Sequence, residues 1–102
     1  MRAEEEYQKL VVVICQKYDA TSGQMFGKQC IKIQGKAGIA LFRDCIVFKL
    51  PKSMLEEALS LEGSSLWDPS GKGRAMKEWV QIPMEHHDTF QTFAAAASEY
   101  VS

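Results

Sequence analysis

From residue 3 onward the apolar positions Tyr7, Leu10, Val11, Ile14, Cys15 and Tyr18 recur at i, i+3, i+4, i+7, i+8 and i+11. That spacing is one stripe of an amphipathic helix. Asp19 to Gly23 has turn chemistry and is expected to end it. The period then changes to two. Ile31 and Ile33 alternate with Lys32 and Gln34, Gly35-Lys36 supplies a turn, and Ala37 to Phe42 forms a short apolar strand with Gly38 inside it. After Arg43-Asp44, the run Cys45 to Leu50 places Ile46, Phe48 and Leu50 on one face and Cys45, Val47 and Lys49 on the other. Connections of two or three residues cannot make a parallel crossover, so these three strands form an antiparallel meander.

Pro51 closes the meander. Ser53-Met54-Leu55-Glu56 reads as a capping box opening a helix of about ten residues, with Leu55, Ala58, Leu59 and Leu61 inward and Gly63 as a left-handed stop. Ser65 to Asp68 is a short strand carrying Leu66 and Trp67. Met76 to Ile82 is the next, with Met76, Val80 and Ile82 on one face and Trp79 on the other. Pro83 ends it, and Asp88 is the expected N-cap of a last helix in which Phe90, Phe93, Ala94, Ala97 and Val101 keep helical spacing. The order α-β-β-β-α-β-β-α predicts an α+β fold in two layers. Helices cover one face of an antiparallel sheet, and much of the other face is left open.

The length of 102 residues fits one domain spanning residues 1–102. With 46% apolar and 25% charged residues, the chain is of the globular class, neither disordered nor collagen-like. The longest apolar run near the start, Leu10 to Cys15, follows three glutamates and is too short for a signal peptide. No run approaches the roughly 20 residues of a membrane span. Cys15, Cys30 and Cys45 are odd in number and without a C-x-x-C pair, which favours three reduced thiols packed as small apolar side chains in a cytoplasmic protein.

Candidate chemistry is sparse. His86-His87, flanked by Glu85 and Asp88, superficially resembles a metal cluster, but adjacent side chains seldom converge on one ion and no third His or paired Cys stands near. A helix-start loop is the favoured reading, and no metal or cofactor is expected. The segment Pro69-Ser70-Gly71-Lys72-Gly73-Arg74 has glycines able to bring backbone N–H groups to a phosphate. It leads into a strand, however, and lacks the Walker spacing, so a hairpin loop is favoured. No nucleophile signature occurs, so no catalytic residue is assigned and no enzymatic activity is expected. A small-molecule pocket near Trp67 and Trp79 carries little weight, because such rings are usually core.

Charge changes the picture once it is read by segment. The formal charge is −1, yet residues 28–52 hold six bases against Asp44 alone, a local +5, and Lys72, Arg74 and Lys77 add three cations with no acid among them. The acids cluster on the predicted helices. A basic sheet backed by acidic helices offers Lys32, Lys49, Lys72, Arg74 and Lys77 as candidate contacts to phosphate or to an acidic partner. The favoured reading is that the same lysines solubilise an exposed sheet and guard its edges. An open face carrying Cys45, Val47 and Trp79 would also suit a second copy of the chain.

Several segments together resemble a known family. Met25-Phe26-Gly27-Lys28, Ile31 to Lys36, Phe42-Arg43-Asp44 and Val47-Phe48-Lys49-Leu50-Pro51 are similar to the opening of the TfoX N-terminal domain and its YjbR-like relatives. Ala58-Leu59, Gly63, Asp68-Pro69, Gly71 to Arg74 and Met76 to Pro83 continue the pattern in order, over residues 5 to 101. The resemblance implies a two-layer domain similar to the type III secretion chaperone fold. It also implies a regulatory role linked to competence and transcription, or DNA binding as suggested for YjbR-like proteins, and it brings no catalytic residues. A full-length TfoX continues into a helical C-terminal domain, so the expectation here is the N-terminal-type domain alone. The leading expectation is a non-enzymatic interaction module that binds a protein partner or its own copy. The alternative is weak nucleic-acid binding through the basic strands and the 71–77 hairpin.

Overall fold

The computed structural model describes residues 2–25, 27–69, 73 and 75–102. Helix α1 spans Ala3–Lys17, followed by strands β1 (Ala20–Met25), β2 (Lys28–Ile33), β3 (Lys36–Phe42) and β4 (Cys45–Lys49). Helix α2 (Lys52–Leu59), strands β5 (Ser65–Trp67) and β6 (Met76–Pro83), a 3-10 helix (Met84–Thr89) and helix α3 (Phe90–Val101) complete the chain. All strand pairs are antiparallel, in the order β1-β2-β3-β4-β6-β5. This is the α+β architecture and element order expected, with one strand more at the front.

That extra strand corrects the reading of Asp19 to Gly23 as a turn. Ala20 to Met25 has little apolar content of its own, but β2 offers it an unbroken ladder from Ala20 opposite Ile33 to Met25 opposite Lys28. Pairing satisfies backbone groups that weak local propensity would have left to water.

Two tight turns fix the register of the meander. Gln34 (φ 53°) and Gly35 (φ 84°) link β2 to β3, and Arg43 (φ 54°) with Asp44 links β3 to β4. Left-handed conformations there match the right-handed twist of the strands. The β2–β3 ladder shifts register between Ile31 and Lys32, so that Gly38 and Ile39 both turn toward the helices. Gly38 is required at that bulge: a Cβ there would lie 3.2 Å from Val101 Cγ2 and 3.3 Å from Ile33 Cδ1. The absent side chain lets α3 settle low across β3 and β4, between α1 and α2.

The main core is the inner, helix-covered face of the sheet. Ile31, Ile33, Ile39, Ile46, Phe48, Val80 and Ile82 meet Tyr7, Leu10 and Ile14 of α1, Ala58 of α2, and Phe90, Phe93, Ala94, Ala97 and Val101 of α3. Phe48 is the hinge of this layer, with ring centroids 5.8 Å from Phe90 and 6.0 Å from Phe93.

Three local expectations are corrected. Helix α2 begins at Lys52 with Pro51 as its N-cap, and no side chain caps it. Ser53 therefore sits inside the first turn, where the capping-box bonds cannot form. Asp88 lies within the 3-10 helix, α3 starts at Phe90, and the Thr89 hydroxyl turns back to donate to the His86 carbonyl at 2.6 Å. Cys15, at the margin of the α1 stripe, is exposed and not packed. Gly63, with φ 85°, does adopt the left-handed turn after α2.

Candidate functional site

Side chains alternate along each strand, so the register that sends the isoleucines inward sends a second set outward. On the outer face lie Gly23 and Met25 of β1, Lys28, Cys30 and Lys32 of β2, Ala40 and Phe42 of β3, and Cys45, Val47 and Lys49 of β4. Strand β6 adds Lys77, Trp79 and Gln81, and β5 adds Trp67.

This face is not the open surface expected. Cys30, Ala40, Phe42, Val47, Trp67 and Trp79 form a second buried cluster, with Met25, Ala37 and Met76 packed around it. Val47 and Trp67 are fully buried and Trp79 is only 6% exposed. The rings build the cluster: Trp67 lies 5.4 Å from Trp79 and 5.8 Å, edge-on, from Phe42. The ladder of β5 against β6 shifts register at Trp67, which brings Met76 into this cluster and not to the inner face predicted for it. Of the apolar patch of Cys45, Val47 and Trp79 expected to suit a second copy, Val47 and Trp79 are thus already covered within one chain and Cys45 is half-buried. Burial pushes the thiol pKa values of Cys30 and Cys45 up, so both stay protonated at neutral pH and are poor nucleophiles.

The cations ring this cluster. The Lys28 ammonium sits 5.6 Å from the centre of the Phe42 ring and the Arg43 guanidinium 5.0 Å from it. Both hold their charge at the surface by stacking on a buried aromatic. Lys32 lies along Gly23, where a Cβ would come within 3.0 Å of its Cε. The bare glycine is a groove for the lysine stem. Lys49 is half-buried, with its Nζ 3.9 Å from the Glu78 carboxylate, which also accepts from the Tyr100 hydroxyl at 3.2 Å. Lys77 is exposed. Of the five contacts expected from the sequence, Lys32, Lys49 and Lys77 share this face, while Lys72 and Arg74 lie outside the described residues. Lys28 and Arg43 were not singled out, although the Lys/Arg-rich run around them contains both. What identifies them is the Phe42 ring beneath.

Beside Lys49 an open groove of about 530 Å³ runs over Trp79, Met76, Met25 and Ala37, with Lys36 on its rim. Of the glycine loop, Gly73 is described, and its N–H donates to Asp68 Oδ2 at 2.7 Å. That contact makes it part of a hairpin closure. His86 Nε2 lies 2.7 Å from the Glu62 carbonyl, tying the 3-10 helix to the turn after α2. Among the described residues no three His, Cys, Asp or Glu side chains gather as a metal site, and no helix is long and apolar enough to cross a membrane.

Most of the acids lie on the helical side of the molecule, with Glu78, beside Lys49, an exception on the cationic side. Glu4, Glu5 and Glu6 lie on α1, Glu56 and Glu57 on α2, Glu85 and Asp88 on the 3-10 helix, and Glu99 on α3. The near-zero net charge is in large part a separation of strand cations from helix acids. Compared with models of protein families, with curated proteins and with solved structures, the chain finds no match.

Proposed function

We propose that the chain is a small interaction module that acts by binding and not by catalysis, and that the outer face of its sheet holds a nucleic-acid backbone through its phosphates. The carrying observation is the gathering of Lys28, Lys32, Lys49 and Lys77, with Arg43, on one sheet face where Glu78 pairs with Lys49, while the helices behind it carry most of the acids. Lysine and arginine are the residues that neutralise phosphate, and a one-signed face raises the local concentration of polyanions. The same geometry refines the mode. Phe42 and Trp79 are 7% and 6% exposed, so they offer no stacking platform for single-stranded bases, and the contact is to backbone charge. The regulatory role implied by the TfoX and YjbR resemblance is compatible with such a module and belongs to the same proposal.

Fluorescence anisotropy of a labelled duplex, titrated between low and physiological salt, tests this reading. Four to five phosphate contacts predict a log–log salt slope of about −4. Replacing Lys32, Lys49 and Lys77 together with Glu is expected to weaken binding by roughly 100-fold or more and to flatten the slope. No binding at low salt would exclude the proposal, and an acidic protein surface would then be the partner to seek.

A further inference from the structure

The two edges of the sheet are finished differently. Strand β5 is three residues long and irregular in register, which discourages further pairing. Strand β1 is the opposite: six residues, no register shift, no proline and no charged side chain from Ala20 to Met25. Natural sheet edges usually carry a lysine, a proline or a bulge to prevent association, and β1 carries none of these.

Its free backbone groups can be assigned. Gln34 N–H donates to the Asp19 carbonyl at 2.8 Å, so residues 19 and 34 are a hydrogen-bonded pair. Alternation then turns the groups of Thr21, Gly23 and Met25 toward β2 and those of Ala20, Ser22 and Gln24 outward. Among the described residues no backbone hydrogen bond reaches these outward groups.

We propose that β1 is a self-association edge, joining antiparallel to β1 of a second copy about a two-fold axis at Ser22. The outward set is self-complementary. Ser22 meets its own counterpart and Ala20 meets Gln24, so all three outward residues pair with outward residues and every N–H finds a carbonyl. On the outer face Thr21 meets Gly23, beside the Lys32 stem that lies along that glycine. The product is a twelve-stranded sheet whose two cationic faces are continuous. Lys32, lying over Gly23, comes to within roughly 8 Å of its counterpart, two residues along one strand spacing. Their repulsion makes the dimer stronger as salt rises, opposite in sign to phosphate binding. The inference therefore stands or falls separately from the nucleic-acid reading.

The test is sedimentation equilibrium from about 5 µM to 1 mM. A contact this small belongs below ~1,200 Å² of buried area, which predicts a concentration-dependent dimer with a midpoint on the order of tens of micromolar. Ser22→Lys places two ammonium groups at the axis and is expected to raise the dissociation constant at least tenfold with unchanged circular dichroism, whereas Ser22→Thr leaves it within twofold. In a Cys15→Ser background, Ser22→Cys is expected to form an interchain disulfide on mild oxidation, because hydrogen-bonded antiparallel partners have Cα atoms about 5.5 Å apart. Gln24→Cys, roughly 13 Å from its own counterpart along the paired strands, is expected to stay reduced. A monomer at every concentration, or a dimer indifferent to Ser22→Lys, overturns the proposal.

Discussion

The two faces of one sheet are buried by different means. On the inner face, aliphatic side chains from β2, β3, β4 and β6 are roofed by three helices, and Phe48 is clasped by Phe90 and Phe93. Among the described residues no helix lies on the outer face. There Trp67, Trp79 and Phe42 cover Ala40, Val47 and Cys30, and Met25 and Met76 lie against them. Helices roof a broad face because each contributes a whole apolar stripe. A narrower face can be closed by large rings, since each Trp or Phe buries some 150–250 Å². Helical roofing places acids outward on the helices, whereas roofing by rings leaves strand lysines at the rim of the cluster, the arrangement on which the proposed phosphate contact rests.

The comparison is most easily broken in the inner core. Phe48→Ala is expected to cost about 3–5 kcal/mol, a large part of the total stability of a small domain, and urea denaturation measures it directly. Trp67→Ala is expected to cost nearly as much, about 3 kcal/mol. Hydrogen exchange should show the loss concentrated in β5, β6 and Met25, with the inner ladder of β3 and β4 still protected. Equal loss of protection throughout would mean that the two clusters unfold as one unit.

Gly38→Ala sharpens the picture at the seam. The new methyl would meet Val101 and Ile33 at 3.2 and 3.3 Å, and overpacking of this kind costs about 1–3 kcal/mol. A thermal melt showing no loss would indicate that α3 can lift without penalty.

The smallest effect concerns Tyr7, whose buried hydroxyl finds no hydrogen-bond partner among the described residues. Burial holds its pKa above the usual 10.0. The folded chain therefore keeps this proton when the unfolded chain has released it. Its contribution to stability is intact below pH 10 and declines above it, by about 1.4 kcal/mol per pH unit at the limit. Tyr7→Phe is expected to raise stability by about 1 kcal/mol at pH 7. It should also make the fall in melting temperature above pH 10 shallower, which a pH series of melts would show.

Much of this was legible in the residues. The α1 stripe, the alternation of Ile46 and Phe48 against Val47 and Lys49, and Gly63 as a stop all express local periodicity or backbone freedom. These act within a few residues and need no partner to be read. The placing of Lys32, Lys49 and Lys77 on strands and of most acids on helices was legible too, because charge follows strand and helix. By contrast, Ala20 to Met25 became a strand only because β2 had an edge to pair with. Ser53 and Asp88 lost their capping roles because Pro51 and the 3-10 helix moved the helix starts. Met76 changed faces because a register shift beside Trp67 breaks the alternation. Whether Val47 and Trp79 are exposed was decided by rings and hairpins distant in sequence.

By itself, then, the sequence determined the order and kind of most elements, the inward stripe of each helix and the separation of charge, since all three follow from nearest-neighbour chemistry. Only the tertiary structure decided the sixth strand, the closure of the outer face and which backbone groups remain at the β1 edge, because each depends on a contact between segments that the chain brings together only on folding.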